Sequence, residues 1–192
     1  MQKDRKTCGD ETLSTATQIR RRSEMSAVCI YRSPLGPIRI ESDGSAITGL
    51  RFTDTAEDAG GTDEIIGIGT KWLDSYFSGT APCMLPPIDP PGTAFQKTVW
   101  HILMDIPYGT TVTYGDIASM LSDKGKRMSA QAVGGAVGSN PIAIMIPCHR
   151  VVGAGGKLTG YAAGLDRKKK LLDLERGSLV SGMTSVGSAD HP

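Results

Sequence analysis

A proline-rich stretch divides the chain into two parts with different hydrophobic patterns. Residues 81–92 contain five prolines and no apolar periodicity, which is typical of a connection between two folding units. Before this stretch apolar residues alternate as they do in β-strands, and after it they recur at helical spacing. The sequence therefore predicts an α/β protein in which a small antiparallel sheet with one helix precedes a mainly helical domain.

The first part is patterned as three strands followed by one helix. Strands are expected at 28–31, 38–41 and 47–52, because β-branched and apolar residues are separated there by Gly, Pro, Ser and Asp turns. An apolar face at helical spacing then runs over residues 65–77 and ends before Gly79. We expect this helix to cover one side of the sheet.

The second part contains three candidate helix starts. Thr93, Thr113 and Ser129 are residue types that cap helices, and Asp116 follows Thr113 at the capping-box distance. The last two helices are short and joined by a polar connection, which is typical of a helix-turn-helix. Helices made of small residues also occur wherever two backbones pack closely, so that alternative remains open. The predicted helices are 94–106, 114–121 and 130–137.

Both ends of the chain lack apolar periodicity and are expected to be disordered tails. The predicted units are a tail at 1–26, a sheet domain at 27–80, a linker at 81–92, a helical domain at 93–176 and a second tail at 177–192.

Composition argues against several classes of protein. No apolar run approaches the roughly 18 residues that a membrane helix needs. Residues 1–22 lack the charged-then-apolar pattern of an export signal. The four cysteines share no short spacing with one another or with the three histidines, which disfavours a disulfide framework and a zinc site. We expect free thiols, no metal, no membrane contact and a cytoplasmic location, or a nuclear one in a eukaryote.

Charge is distributed unevenly along the chain. Residues 41–94 carry two basic and nine acidic residues, whereas residues 95–176 carry eleven basic and six acidic ones. The asymmetry favours contact between the second part and a polyanion, although a solvated basic face would have the same composition. The first part is expected to be a scaffold, because its acidic balance would repel a polyanion.

A cysteine follows the most apolar segment of the chain. Residues 142–146 are predicted to form a buried strand, and Pro147 then precedes Cys148, His149 and Arg150. A thiol beside an imidazole and a guanidinium is in an environment that lowers its pKa, which makes Cys148 a candidate nucleophile. The alternative is a small buried hydrophobic residue, which is what most free cysteines are.

Four segments together identify a resemblance: Asn140-Pro141, 147–152, 159–164 and 169–175. The chain closely resembles the O6-alkylguanine-DNA alkyltransferases, also called methylated-DNA–protein-cysteine methyltransferases, from about residue 27 to residue 176. This resemblance implies a ribonuclease-H-like sheet domain followed by a helical DNA-binding domain with a winged-helix-like helix-turn-helix.

The resemblance also implies a reaction and a role for each residue in it. Cys148 would take the alkyl group from guanine O6 by in-line displacement, and the protein would be used once without a cofactor. His149, oriented by Glu175, would generate the thiolate through a water. Tyr114 would donate a proton or hydrogen bond to the leaving guanine, and Asn140 would hold the turn before the cysteine.

Base and DNA contacts are assigned by the same resemblance. A base in a duplex must leave the stack to reach such a pocket, so the helix-turn-helix would enter the minor groove and flip the nucleotide. Gln131 stands where the family has an arginine, and Arg150 is either a DNA contact or a structural ion-pair partner. The pocket residues are Val137, Val151, Tyr161 and Ala162. The DNA contacts are Ala130, Gln131, Ala132, Gly134, Gly135, Lys126, Arg127 and Arg150.

The leading hypothesis is a monomeric, nucleoid-associated repair protein that acts on O6-methylguanine, and on O4-methylthymine, in double-stranded DNA. A damage-binding protein without transfer activity is disfavoured by the presence of Cys148, and a zinc-dependent regulator by the absence of a four-cysteine segment. A cysteine hydrolase is disfavoured because no nucleophile-turn pattern surrounds Cys148. Taken singly, Tyr114 could be a core aromatic residue, and Glu175 and residues 168–170 could form solvated surface.

Overall fold

The structure is a computed structural model that describes residues 26–55, 61–123 and 128–177. The predicted tails lie outside these ranges apart from Ser26 and Gly177, and so do Lys126 and Arg127. Within the described ranges, no helix is long and apolar enough to cross a membrane.

The predicted three-stranded meander is confirmed. Strands β1 (Ala27–Ser33), β2 (Gly36–Ser42) and β3 (Ile47–Phe52) form an antiparallel sheet in the order β1-β2-β3. Ile40 pairs with Leu50 across β2 and β3, and both side chains are fully buried. The alternation in the sequence therefore marks the face of the sheet that packs inward.

Helix α1 (Glu64–Phe77) covers that face, as its periodicity predicts. Asp63 caps its N-terminus, because the Asp63 side chain accepts a hydrogen bond from the amide of Ile66 at 2.7 Å. The helix ends at Ser78, and Gly79 follows at φ +83°, a conformation that glycine adopts without strain. The buried side of α1 carries Leu73 and Tyr76, both at 0% exposure.

The second part is mainly helical, and its predicted caps are confirmed. Thr93 and Gln96 form a capping box, Thr113 and Asp116 exchange hydrogen bonds, and the side chain of Ser129 accepts from the third residue of its helix. The elements are α2 (Ala94–Met104), β4 (Val112–Thr113), α3 (Tyr114–Asp123), α4 (Ala130–Gly138), a 3₁₀ turn (Cys148–Arg150), β5 (Val151–Val152), a second 3₁₀ turn (Ala154–Gly156) and α5 (Leu165–Glu175).

Helices α3 and α4 pack against each other, as expected for the helix-turn-helix, and the α/β organisation of the chain is confirmed. Strand β4, just before α3, pairs in parallel with β5, just after the cysteine turn, so that Val112 lies opposite Val151. This short pairing holds the start of the helix-turn-helix beside the segment that carries Cys148.

The outer edge of β3 joins the two parts of the chain. The amide of Leu50 donates to the carbonyl of Pro141 at 2.9 Å, and the amide of Ala143 donates to the carbonyl of Leu50 at 2.8 Å. Further along the same edge, Ile47 exchanges two backbone hydrogen bonds with the proline-rich linker. Because the edge is covered in this way, the sheet is attached directly to the segment that leads to the cysteine.

The predicted strand at 142–146 is wrong. The segment makes only isolated bridges and reverses direction, since the amide of Met145 donates to the carbonyl of Ala143 and the amide of Ile146 donates to the carbonyl of Ile142. Ile144 has φ +70°, which is a strained conformation for a β-branched residue. The run is apolar because four of its five residues are buried, and burial alone does not distinguish a strand from a tight turn.

Candidate active site

Cys148 begins the 3₁₀ turn and is 7% exposed. It lines a cavity of about 330 Å³, which lies within the range of small-molecule pockets, about 300–1,000 Å³. The wall comes from three places in the chain: the end of β3, the end of α4 with the residues that follow it, and the segment before α5. The lining residues are Arg51, Phe52, Val137, Gly138, Ser139, Asn140, Ala143, Cys148, Gly160, Tyr161, Ala162 and Ala163.

Asn140 fixes the turn that presents the cysteine. Its Nδ2 donates to the carbonyl of Ile146 at 2.8 Å and to Cys148 Sγ at 3.1 Å, and its Oδ1 accepts from the amide of Ile142 at 3.0 Å. One side chain thus ties the end of α4 to both ends of the apolar turn. This geometry is compatible with the role that the resemblance implies for Asn140, which is to hold the turn before the cysteine.

Burial raises the pKa of the Cys148 thiol, against opposing contributions from the Asn140 hydrogen bond, the Lys168 charge and the backbone amides of Cys148 and His149. The expectation that its sequence neighbours lower this pKa is therefore wrong. Arg150 is bound to Glu175, so its charge is already neutralised. A buried thiol of this kind is protonated at neutral pH and needs a base before it can act as a nucleophile.

His149, the next residue along the chain, carries the imidazole nearest in sequence to this thiol. Its ring is fully buried, and Nε2 lies 2.7 Å from Glu175 Oε1. Burial lowers the pKa of His149, with the Glu175 hydrogen bond acting in the opposite direction, so the ring is neutral near pH 7. Because an ionised carboxylate only accepts, the proton lies on Nε2 and Nδ1 carries a lone pair. Among the described residues Nδ1 has no hydrogen-bond partner.

Glu175 is the centre of a buried network and is not a solvated helix residue. Burial by itself would raise its pKa, but the hydrogen bonds from His149 and Arg150, together with the positive charge of Arg150, hold it at about 2. The carboxylate is therefore ionised whenever the protein is near neutral pH. From the described part of the chain it accepts five hydrogen bonds, donated by His149 Nε2, Tyr76 Oη, Arg150 Nε, Arg150 Nη2 and the amide of Gly109.

Arg150 faces the protein interior. Its guanidinium makes two hydrogen bonds of 2.9 Å to Glu175, and Nη1 donates to the carbonyl of Ile106 at 2.6 Å. The residue is 9% exposed. Of the two roles that the sequence leaves open, this geometry corresponds to the structural ion pair. The assignment of Arg150 as a DNA contact is corrected accordingly.

Tyr76 belongs to the same network, although the sequence marks it only as part of an apolar helix face. Its hydroxyl donates to Glu175 Oε1 at 2.8 Å and lies 3.3 Å from His149 Nε2. Tyr76 is on α1, so the sheet domain contributes directly to the site. Nothing in the local spacing of α1 indicates this contact, because Tyr76 and Glu175 are 99 positions apart.

Replacing Tyr76 with phenylalanine is expected to lower the free energy of unfolding by about 1.5–3 kcal/mol, because a hydrogen bond to a buried charged group is lost. Tyr31→Phe is the matched control, since Tyr31 donates at the same distance, 2.8 Å, to the exposed carboxylate of Asp74. Urea unfolding at pH 7 should show a clearly smaller loss for Tyr31→Phe. Equal losses for the two variants would contradict the importance of the buried contact.

Lys168 is a second residue that the sequence does not single out. The solvated-face interpretation holds for Lys169 and Lys170, which are exposed, but Lys168 is 0% exposed. Its Nζ donates to the carbonyls of Val151 and Thr159 at 2.6 Å and of Gly160 at 3.4 Å. Burial lowers the pKa of Lys168, and Cys148 acts in the opposite direction. Lys168 thus connects residues 159–160, which precede α5, to strand β5, which follows Cys148.

Tyr114 begins α3 and is half-buried. Burial raises its pKa, and a hydrogen bond with Thr159 opposes this shift. A Cβ placed on Gly134 of α4 would lie 3.9 Å from the Tyr114 ring, and one on Gly160 would lie 3.3 Å from its hydroxyl. The hydroxyl therefore lies next to a residue of the cavity wall and remains protonated at neutral pH.

The other predicted pocket residues divide into two groups. Val137, Tyr161 and Ala162 line the cavity, whereas Val151 does not and is fully buried behind it. The Val151 carbonyl is bound by Lys168. Among described residues, the buried hydroxyl of Tyr161 has no hydrogen-bond partner.

The predicted DNA contacts on α4 form a surface of small residues. Ala130, Gln131 and Gly135 are exposed, and Ala132 and Gly134 are half-buried. A Cβ on Gly135 would meet nothing within 4 Å in the protein, so packing inside the chain does not require glycine there. The other two predicted contacts, Lys126 and Arg127, lie outside the described residues.

The sheet domain also reaches the cavity through the end of β3, where Arg51 and Phe52 line the wall. Arg167 of α5 lies 4.9 Å above the Phe52 ring and donates to the carbonyls of Leu35 and Ala163 at 3.1 and 3.3 Å. The first part therefore contributes residues to the cavity wall in addition to the scaffold role expected from its sequence. In the described ranges, no group of three His, Cys, Asp or Glu side chains is arranged to hold a metal ion.

Two family models match this chain. Residues 29–90 match the ribonuclease-like domain of 6-O-methylguanine DNA methyltransferase, and residues 94–177 match its DNA binding domain. Together they span most of the chain.

Curated relatives and solved structures agree with these models. A methylated-DNA–protein-cysteine methyltransferase of Mycobacterium bovis is 41% identical over 157 residues, which is 79% of this chain and 93% of the relative. One of Methanosarcina acetivorans is 42% identical over 152 residues, covering 76% and 96%. The crystal structure of Mycobacterium tuberculosis O6-methylguanine methyltransferase matches with a TM-score of 0.70 at 40% identity, covering 80% and 94%. That of Mycobacterium tuberculosis OGT in complex with DNA matches with a TM-score of 0.69 at 41% identity, covering 79% and 94%. The chain therefore belongs to the methylated-DNA–protein-cysteine methyltransferases, enzymes of DNA repair by alkyl transfer.

Proposed function

We propose that this protein repairs O6-alkylguanine in double-stranded DNA by moving the alkyl group, once per molecule, to Cys148. The observation that carries the proposal is the combination of a cysteine lining a cavity with a neutral histidine whose Nδ1 is available as a base. Glu175 and Tyr76 hold that histidine from its other side.

The reaction balances without a cofactor. His149 Nδ1 takes the thiol proton through one water molecule, and the Cys148 thiolate attacks the alkyl carbon from the side opposite guanine O6. A carbon–sulfur bond forms as the carbon–oxygen bond breaks. The leaving guanine receives a proton or hydrogen bond from Tyr114, whose own proton is replaced from solvent. The thioether is stable, so each molecule acts once.

The target nucleotide must leave the duplex to reach Cys148, because the sulfur lies inside the protein. The exposed small residues of α4, which include Ala130 and Gly135, allow close approach to the minor groove. Gln131 fills the place of the extruded base and hydrogen-bonds its partner. We further propose that O4-methylthymine is a second, slower substrate. The protein acts as a monomer associated with the nucleoid.

The test is the mass of the intact protein after incubation with a duplex that contains one O6-methylguanine. We expect a stoichiometric gain of one CH₂ group, located by peptide mapping on Cys148. The exposed thiol of Cys83 is an internal control, because nonspecific alkylation would mark it first. An undamaged duplex should produce no gain. Binding to the damaged duplex without a change of mass would replace this proposal with damage recognition alone.

Gln131→Arg is expected to increase the rate of transfer from a lesion duplex by up to about tenfold, because an added cation near the backbone strengthens DNA binding. Gln131→Ala serves as the paired variant and should slow transfer, since it removes the group that fills the vacated space. Single-turnover rates at one salt concentration are the measurement. An arginine variant that reacts no faster than the wild type would contradict the role assigned to Gln131.

A further inference from the structure

Arg51 is a cation at the cavity wall that has no role in the transfer reaction proposed above. It lies on β3 directly after Leu50, whose backbone is bonded to Pro141 and Ala143 on the segment leading to Cys148. The cavity is therefore lined by Arg51 from the sheet side and by Asn140 from the α4 side. The pairing of Leu50 and the position of Arg51 within β3 fix the Arg51 backbone beside the cavity.

The charge on Arg51 is unusual for its surroundings. Residues 41–94 contain nine acidic residues and two basic ones, Arg51 and Lys71. Arg39, opposite Arg51 on β2, is bound to Glu41 at 2.8 Å. Arg51 is exposed, and no hydrogen bond or ion pair joins its guanidinium to another described residue.

Arg167, which lies near Arg51, makes its contacts within the protein. Arg167 donates to two backbone carbonyls and lies over the Phe52 ring, so its guanidinium is engaged by the protein itself. Of the two arginines at this end of the cavity, Arg51 retains donors for a ligand. An exposed guanidinium with free donors is well suited to bind a phosphate in bidentate fashion.

We propose that Arg51 binds a backbone phosphate next to the flipped nucleotide, so that the sheet domain supplies a DNA contact of its own. This inference rests on the proposed function, because a nucleotide enters the cavity with a phosphate on each side of its sugar. The sugar and phosphates remain at the cavity mouth when the base approaches Cys148. A contact there would act on the extruded nucleotide in addition to the groove contacts of α4.

The test compares wild type, Arg51→Ala and Arg51→Lys, with Lys71→Ala as the control for loss of a cation from the same acidic segment. Transfer rates are measured against salt concentration on a duplex with one O6-methylguanine, and on the nucleoside O6-methyl-2′-deoxyguanosine, which has no phosphate. Thermal unfolding of each variant confirms that it is folded.

Arg51→Ala should slow transfer from the duplex by about three- to tenfold and reduce the slope of log rate against log salt by about one. Transfer from the nucleoside should fall much less, and Arg51→Lys should retain most of the slope. Lys71→Ala should match the wild type. An unchanged slope, or an equal loss on duplex and nucleoside, would overturn the phosphate contact. A wild type that accepts no alkyl group from the duplex would instead refute the proposed function.

Discussion

Cys148→Ala protein is expected to gain no mass from a duplex containing O6-methylguanine, whereas the wild type gains one CH₂ group per molecule. The substitution removes the only atom that accepts the alkyl group in the proposed reaction. The other described cysteines cannot substitute for it, because neither Cys29 nor Cys83 lines the cavity. The loss should therefore be complete and should not be a reduced rate.

The same variant is expected to keep its affinity for lesion-containing DNA. Cys148 is 7% exposed and lies in the wall of the cavity, while the proposed DNA contacts are on the exposed side of α4. Removing one buried sulfur changes little volume, so the fold should be preserved at a cost of about 1 kcal/mol. Cys83→Ala is the matched control and should retain full transfer. If the Cys148→Ala protein were still alkylated at some site in near-stoichiometric yield, the assignment of Cys148 as the acceptor would be contradicted.

Glu175→Gln is expected to reduce the free energy of unfolding by about 3–5 kcal/mol at pH 7, the effect of removing one partner of a buried ion pair. Arg150 would be left buried without a counter-charge. The amide cannot accept all five hydrogen bonds that the carboxylate accepts, because its NH₂ group is a donor. Transfer should slow as well, since the tautomer of His149 depends on the ionised carboxylate.

The difference in free energy of unfolding between wild type and Glu175→Gln should become smaller as the pH falls. The pKa of Glu175 is about 2 in the folded protein and 4.5 as a reference value. A carboxylate whose pKa is lower in the folded state stabilises that state fully above about pH 4.5. This stabilisation is lost as the pH falls towards 2. The two proteins should therefore become more alike in stability below pH 4.5. Urea unfolding at several pH values measures this convergence.

Glu41→Gln is the control for this prediction. Glu41 also pairs with an arginine, at 2.8 Å from Arg39, but both side chains are more than a third exposed. Exposed pairs contribute at most about 1 kcal/mol, so this variant should unfold almost like the wild type at pH 7. A loss for Glu175→Gln no larger than the loss for Glu41→Gln would contradict the buried network as a source of stability.

Most of the local structure could be predicted because its causes are local. Alternating residues around Ile40 and Leu50 marked the inward face of the sheet, and Thr93, Thr113 and Ser129 marked helix starts through hydrogen bonds to nearby amides. The same reasoning failed at 142–146, because apolar residues are required in any buried segment. Hydrophobicity there indicated burial correctly and said nothing about the reversal of the chain.

The candidate site was predictable only in part. Cys148 and His149 are adjacent, so their chemistry is visible in the sequence, and the resemblance added Tyr114, Asn140 and Glu175. The sequence neighbours of Cys148 nevertheless led to the wrong direction for its pKa. Burial dominates that pKa, and burial depends on what the rest of the chain packs around the sulfur.

The sequence by itself determined the three strands of the sheet, the helix starts and the family of this protein, and it singled out Cys148 as the candidate acceptor. The tertiary structure decided that Tyr76 holds Glu175, that Arg150 faces inward, that Lys168 is buried and that Arg51 reaches the cavity. The physical reason is distance along the chain. Periodicity and caps reflect interactions within a few residues, whereas each of these four contacts brings together segments whose separation no local pattern encodes.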